Sequence, residues 1–181
     1  CARTGKPVIL STGMSTMPEI EHAVDVLRTN GCEHPTLLHC TSAYPTPYAE
    51  ANLSAIETIR TATGCDVGWS DHTVEPGVIH RAIHRWGAKV IEFHLDLDGN
   101  GEEYATGHCW LPDQISTVIL DVEYALVEAG DLQPSHLGGN KNPLHFVPEA
   151  QPKTRGDQAS QSQSMKIAAD PDFDHSARIC P

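Results

Sequence analysis

Val67-Gly68-Trp69-Ser70-Asp71-His72-Thr73 starts apolar and breaks into small and polar groups around a histidine. Val90-Ile91-Glu92-Phe93-His94 does the same, a β-branched and aromatic run that again ends on a histidine. Short apolar runs of this kind read as buried strands. Working outward, the first is followed by a loop through Gly77 and then by Ile79, Ala82, Ile83 and Trp86 at helical spacing. The second is followed by a polar loop from Asp96 to Cys109 and a helix predicted over 112–129, with Ile115, Val118, Ile119 and Val122 in register. The same succession stands upstream. Val8-Ile9-Leu10 leads through Ser11-Thr12-Gly13 to Ile20, Ala23, Val24 and Leu27, and Thr36 to Cys40 leads through a proline-rich loop to Leu53, Ile56 and Ile59. Pro18 and Glu19 suit the first turn of one helix, and Asn30-Gly31 and Gly64 suit the stops of two.

Strand, loop and helix repeated four times, at about 25 to 35 residues per unit, predict a parallel sheet joined by right-handed crossovers. Two α/β architectures satisfy this: an open doubly wound sheet, or four βα units of an eight-stranded (β/α)8 TIM barrel. No Gly-x-Gly-x-x-Gly follows a strand, which counts against a dinucleotide-binding sheet. After Gly130 the texture changes to Pro, Gly, Gln, Ser and Asp, as in Gln158-Ala159-Ser160-Gln161-Ser162-Gln163-Ser164. Residues 1–130 are therefore expected to form the α/β unit and residues 131–181 an irregular or disordered tail.

Composition narrows the function classes. The 181 residues suffice for one sizeable core. Twelve Lys and Arg stand against 24 Asp and Glu, a net charge of −12, and no basic run marks a nucleic-acid or membrane footprint. An anionic substrate would need helix N-termini, hydroxyls or a metal to overcome the general repulsion. The six cysteines form no Cys-x-x-Cys pair and no secretory signal precedes them, so reduced thiols in a soluble, cytoplasmic protein are expected. The chain opens Cys-Ala-Arg-Thr-Gly and enters a strand almost at once, as the interior of a longer protein would.

In both architectures ligands bind at the carboxyl ends of the strands. Those ends carry Ser11, Thr12 and Gly13, then Thr41, Ser42 and Tyr44, then Ser70, Asp71, His72 and Thr73, then His94 and Asp96. Neighbouring parallel strands lie about 4.8 Å apart, so His72 and His94 can reach one cation. Each could equally cap its strand and bond a backbone carbonyl. Oxygen-rich completion of such a pair favours Mn²⁺ or Mg²⁺, while imidazole equally suits zinc, iron or cobalt. Asp71 and Glu92 flank the histidines and are expected to fix imidazole tautomers, or else to form salt bridges. Ser11, Ser42 and Ser70 could cradle a phosphate or carboxylate if they converge, and Tyr44 could present its hydroxyl to a polyol.

Four stretches in order, Pro7 to Met14, His39 to Pro45, Gly68 to Thr73 and Gly87 to His94, resemble the sialic acid synthase family over about residues 5 to 130. The resemblance implies the last four βα units of a (β/α)8 barrel that condenses phosphoenolpyruvate with an N-acetylated sugar aldehyde, usually N-acetylmannosamine. It implies a divalent metal, Mn²⁺ first with Mg²⁺ or Co²⁺ as substitutes, on His72 and His94. It also implies phosphoenolpyruvate near Ser11, Ser42 and Ser70, and the sugar near Tyr44. Where family members carry a Gly-Pro-Asp loop with a functional aspartate, this chain reads Asp98 to His108, so Glu103 is the expected catalytic carboxylate, with Glu102 and Asp98 behind it. Phe93 stands where lysine is usual, and Thr73 to Gly77 contains an insertion. Half a barrel leaves strand edges open, which predicts a homodimer or pairing with the other half. Another metal-dependent aldolase or hydrolase, or a non-catalytic binding module on the same half-barrel, stay open alternatives.

Overall fold

The computed structural model describes residues 1–131 and 144–149. Each predicted strand forms: β1 is Ile9–Ser11, β2 Thr36–Cys40, β3 Asp66–Asp71 and β4 Val90–Leu95. The helices between them are α1, Met17–Thr29, α2, Ala55–Thr63, and α3, Pro76–His84. All pairings are parallel and the strands lie in chain order. Helix α1 starts at a capping box in which the Glu19 carboxylate accepts from the Thr16 backbone N–H at 2.7 Å and the Thr16 hydroxyl at 2.8 Å. It stops before Gly31, whose φ of 101° is open only to glycine at low cost.

The loop expected from Asp96 to Cys109 holds two short elements, α4, Glu102–Thr106, and β5, Cys109–Trp110, before the long helix α5, Pro112–Glu128. Neither is long enough to show a period in the sequence. A sixth strand, β6, His145–Glu149, pairs parallel with β4 from Val90 to His94, so that part of the stretch expected to be irregular is ordered. Its physical reason is the edge of β4: the two-residue β5 covers only His94 and Leu95, and the remaining backbone donors and acceptors need a partner. Phe146 packs on the core from this strand, and Pro148 is tolerated at an edge. The rest of 131–181, beyond Asp131, Leu144 and β6, lies outside the described residues.

Side chains of a strand alternate between faces, and the two faces of this sheet differ in chemistry. Leu37, Val67, Trp69, Ile91 and Phe93 point to the helices and meet Ile20, Val24, Ile56, Ile79 and Val118 in one core. Leu37, Val67, Trp69, Ile56, Ile79 and Ile91 are wholly buried, each contributing about 1.5–3 kcal/mol through area removed from water. The opposite face carries Ser11, Cys40, Ser70, Glu92, His94 and Cys109, with Cys40 level with Ser70, Ser70 with Glu92 and His94 with Cys109. Gly68 sits on this face because a Cβ there would strike the Val90 carbonyl oxygen and the Leu38 side chain. Among the described cysteines, Cys32, Cys40, Cys65 and Cys109 are thiols outside any disulfide. No described helix is long and apolar enough to cross a membrane.

His39 is a polar residue on the helix side. Its ring is buried against Trp69, centroids 5.1 Å apart, with Nε2 2.9 Å from the Ala51 carbonyl oxygen. Burial holds its pKa below the ordinary 6.5, opposed by the carbonyls of Ala51 and Asn52. Above pH 6.5 both the folded and unfolded chains carry a neutral ring. As pH falls through that value the unfolded chain takes up the proton first, so stability is lost on acidification down to the depressed folded pKa. Urea denaturation of wild type and His39→Gln from pH 7.5 downward (about one pH unit past 6.5) is expected to show a shallower acid decline in the variant, and identical slopes would remove His39 as its source.

Candidate functional site

At the carboxyl ends of β3 and β4 the two histidines do meet. The rings of His72 and His94 stand 5.2 Å apart, centroid to centroid, edge to face. Two imidazoles sharing one tetrahedral ion have centroids about 5 Å apart, from a metal–nitrogen bond of about 2.1 Å. His72 is fixed by its Nδ1, 2.9 Å from the Thr41 carbonyl oxygen. A carbonyl only accepts, so Nδ1 carries the proton and Nε2 the lone pair, with the Ser70 hydroxyl 3.3 Å from it. The chemistry of this donor set fits a divalent ion: a neutral ring whose second nitrogen is oriented by a carbonyl is the usual form of a metal-ligating histidine.

His94 is oriented by a different partner. Its Nδ1 lies 3.3 Å from Oε2 of Glu103, on the first turn of α4, and the same oxygen lies 3.7 Å from Nε2 of His108. The Thr106 hydroxyl settles the tautomer of His108. Its single proton goes to the Glu103 carbonyl at 2.7 Å, so at the 2.7 Å contact with His108 the hydroxyl accepts and Nδ1 donates. The ring of Tyr44 covers the group, 4.2 Å from His72, 5.2 Å from His108 and 5.7 Å from His94.

The expected residues thus divide. His72, His94, Tyr44, Ser70 and Glu103 come together. Ser42 lies beside Cys40 against Gly13, where a Cβ on Gly13 would come within 2.7 Å of the Ser42 hydroxyl. Ser11 is exposed at the end of β1, level with Leu38. Glu102 and Asp98 stay at the surface, and the Asn100 side chain, followed by the Asn100 backbone N–H, lowers the pKa of Asp98.

Asp71 does not orient a histidine. It points to the helix side, where its oxygens accept from Trp69 Nε1 at 3.1 Å, Trp110 Nε1 at 3.0 Å, the Thr73 hydroxyl at 2.7 Å and the backbone N–H groups of Thr73 and Val74 at 3.2 Å. Adjacent strand residues face opposite ways, so Asp71 and His72 cannot share a side. Beyond Asp71 the backbone takes φ 54° at Val74, a left-handed conformation that a β-branched residue rarely takes and that the Asp71 bond helps hold. Sequence reasoning missed His108 and Cys109. The one available signal was a histidine and a cysteine directly before Trp110, at the end of a loop already suspected of carrying the acid.

Residues 1–133 match the NeuB family. The chain belongs to that family. Among NeuB relatives it is 48% identical over 102 residues to N,N'-diacetyllegionaminic acid synthase of Campylobacter jejuni, a stretch covering 55% of this chain and 30% of that one. It is 38% identical over 99 residues to N-acetylneuraminate-9-phosphate synthase of Drosophila melanogaster, covering 54% of this chain and 26% of that one. The fold superposes on the N-acetylneuraminic acid (sialic acid) synthetase of Leptospira borgpetersenii, solved with citrate, at a TM-score of 0.64 and 31% identity, over 74% of this chain and 48% of that one. The chain spans less than half the length of each. The parallel sheet with its helices on one face is accordingly part of a NeuB-type TIM barrel, in a family of synthases.

Proposed function

We propose that this chain supplies the carboxyl-terminal half of a barrel that condenses phosphoenolpyruvate with an N-acetylated amino sugar to a nonulosonic acid. The observation that carries the reading is the meeting of His72 and His94 from adjacent strands under Tyr44, in a NeuB chain. In the reaction C3 of phosphoenolpyruvate bonds to the aldehyde carbon of the sugar, water adds its oxygen at C2, and phosphate leaves.

His72 and His94 would hold a divalent ion, Mn²⁺ first. When bound, such an ion supplies Lewis-acid polarisation of a carbonyl oxygen. The other roles fall to side chains. Ser70, beside His72, with Ser11 and Ser42 on the neighbouring strand ends, offers hydroxyls to the carboxylate or phosphate of phosphoenolpyruvate, in a chain too acidic to attract an anion by its net charge. Tyr44, 52% exposed over the imidazoles, offers its hydroxyl to the sugar. Glu103, with its side chain 40% exposed and tethered to His94, orients water and accepts its proton. The open edge of β1 pairs with the other half of the barrel or with a second copy, and the setting is cytoplasmic.

Mn²⁺-dependent phosphate release from phosphoenolpyruvate tests this, using the chain together with any amino-terminal segment its gene encodes and a mannosamine-type or bacillosamine-type N-acetyl sugar. Release with either sugar supports the reading, and none with both overturns it. Glu103→Gln is expected to lower turnover by about 100-fold or more with Mn²⁺ still bound, the usual scale for a general base. Undiminished turnover would take the role from Glu103.

A further inference from the structure

We propose that His94, Glu103, His108 and Cys109 form a second cation site, of zinc character, that competes with the His72 position for the ring of His94. One ligand atom from each lies within 4.8 Å of the others. Ligands on one tetrahedral ion at about 2.0–2.3 Å stand about 3.3–3.8 Å apart. The contacts of Glu103 Oε2 to His94 Nδ1, 3.3 Å, and to His108 Nε2, 3.7 Å, already have that spacing. The rings of His94 and His108, 4.8 Å between centroids, stand near the about 5 Å of two imidazoles on one ion. The widest of these ligand pairs has about 1 Å left to close.

Two features orient this group independently of the His72 pair. The Thr106 hydroxyl accepts a hydrogen bond from His108 Nδ1–H, which leaves the lone pair on Nε2, the nitrogen turned to Glu103. Cys109 is the cross-strand partner of His94 in the β4–β5 pairing, so its Sγ stands on the same face of the sheet, buried at 2% exposure. The nearby Asp96 is not a competing ligand, because its oxygens accept from the N–H groups of Asp98, Gly99 and Gly101. Two imidazoles, one carboxylate and one thiol suit Zn²⁺ or Co²⁺, whereas thiolate is a poor partner for Mn²⁺ or Mg²⁺. A neutral imidazole has one in-plane lone pair, so His94 serves one ion at a time. The competition, though not the site itself, rests on the reading of His72 and His94 as a metal pair.

Co²⁺ titration of the full chain, followed by absorption, is the test. The expected result is a thiolate-to-cobalt charge-transfer band that Zn²⁺ displaces, is absent from Cys109→Ser, needs at least about 10-fold more Co²⁺ in His108→Gln, and persists in His72→Ala. Metal-free thermal melts matching wild type establish that each variant is folded. No thiolate band in wild type, or a band that survives Cys109→Ser, overturns the site. Mn²⁺ and Zn²⁺ bound together in equal amounts overturn the competition. Stoichiometric Mn²⁺ binding by His72→Ala would instead refute the His72–His94 pair and leave the zinc site standing, so the two failures are told apart.

Discussion

His72→Ala is expected to abolish stoichiometric Mn²⁺ binding while the chain stays folded. The ring is 3% exposed and is held from both sides, by the Thr41 carbonyl and the Ser70 hydroxyl. Deleting it removes one of two imidazoles offered to the ion, so a loss of at least about 100-fold in affinity is expected, beyond the 10- to 100-fold of an outer partner. The same deletion removes one donor from the Thr41 carbonyl, which keeps the Ala43 N–H and the Thr46 hydroxyl, a cost of about 0.5–1.5 kcal/mol that lowers the melting temperature without eliminating the fold. Calorimetric Mn²⁺ titration beside a thermal melt separates the effects. Wild-type affinity in a folded variant would dissolve the metal assignment.

The largest effect on stability is expected at Asp71. This carboxylate is wholly buried and collects five donors, among them the indoles of Trp69 on its own strand and Trp110 on β5. Asp71→Ala strands two indole N–H groups, a hydroxyl and two backbone N–H groups in the core. At about 1–3 kcal/mol for each buried donor left unmade, partly relieved by water and relaxation, the net loss should exceed about 3 kcal/mol. That is much of a typical domain's 5–15 kcal/mol. Asp71→Asn should lose less, since one oxygen still accepts. Urea denaturation measures both, and a change below about 1 kcal/mol for alanine would mean that the carboxylate braces nothing. Because Trp110 is tied through Asp71, the variant should also loosen β5 and with it His108 and Cys109.

The strands and the first three crossover helices could be read from the chain because each carries its own period. Apolar residues alternate or recur at helical spacing whatever packs on them, and local punctuation such as Thr16 to Glu19 and Gly31 marks the ends. The convergence of His72 and His94 followed from the same regularity, since two residues past the same level on adjacent parallel strands share a face. The place of Asp71 beside His72 in the chain leaves its partner open, and strand alternation turns it to the opposite face, where its partners are two indoles, a hydroxyl and two backbone N–H groups. The partners that orient the rings, a main-chain carbonyl at Thr41 and a glutamate on α4, leave no mark in residue type or spacing.

What the sequence determined by itself was the parallel α/β architecture and the two imidazoles at its carboxyl edge, because both follow from short-range periodicity. Only the tertiary structure decided that β6 completes the edge of β4, that Asp71 braces two tryptophans, and that His108 and Cys109 join Glu103 beside His94. These are contacts between segments without a period of their own. Their partners are chosen by unpaired backbone groups and by the packing of a loop onto a sheet, which no stretch of the chain encodes alone.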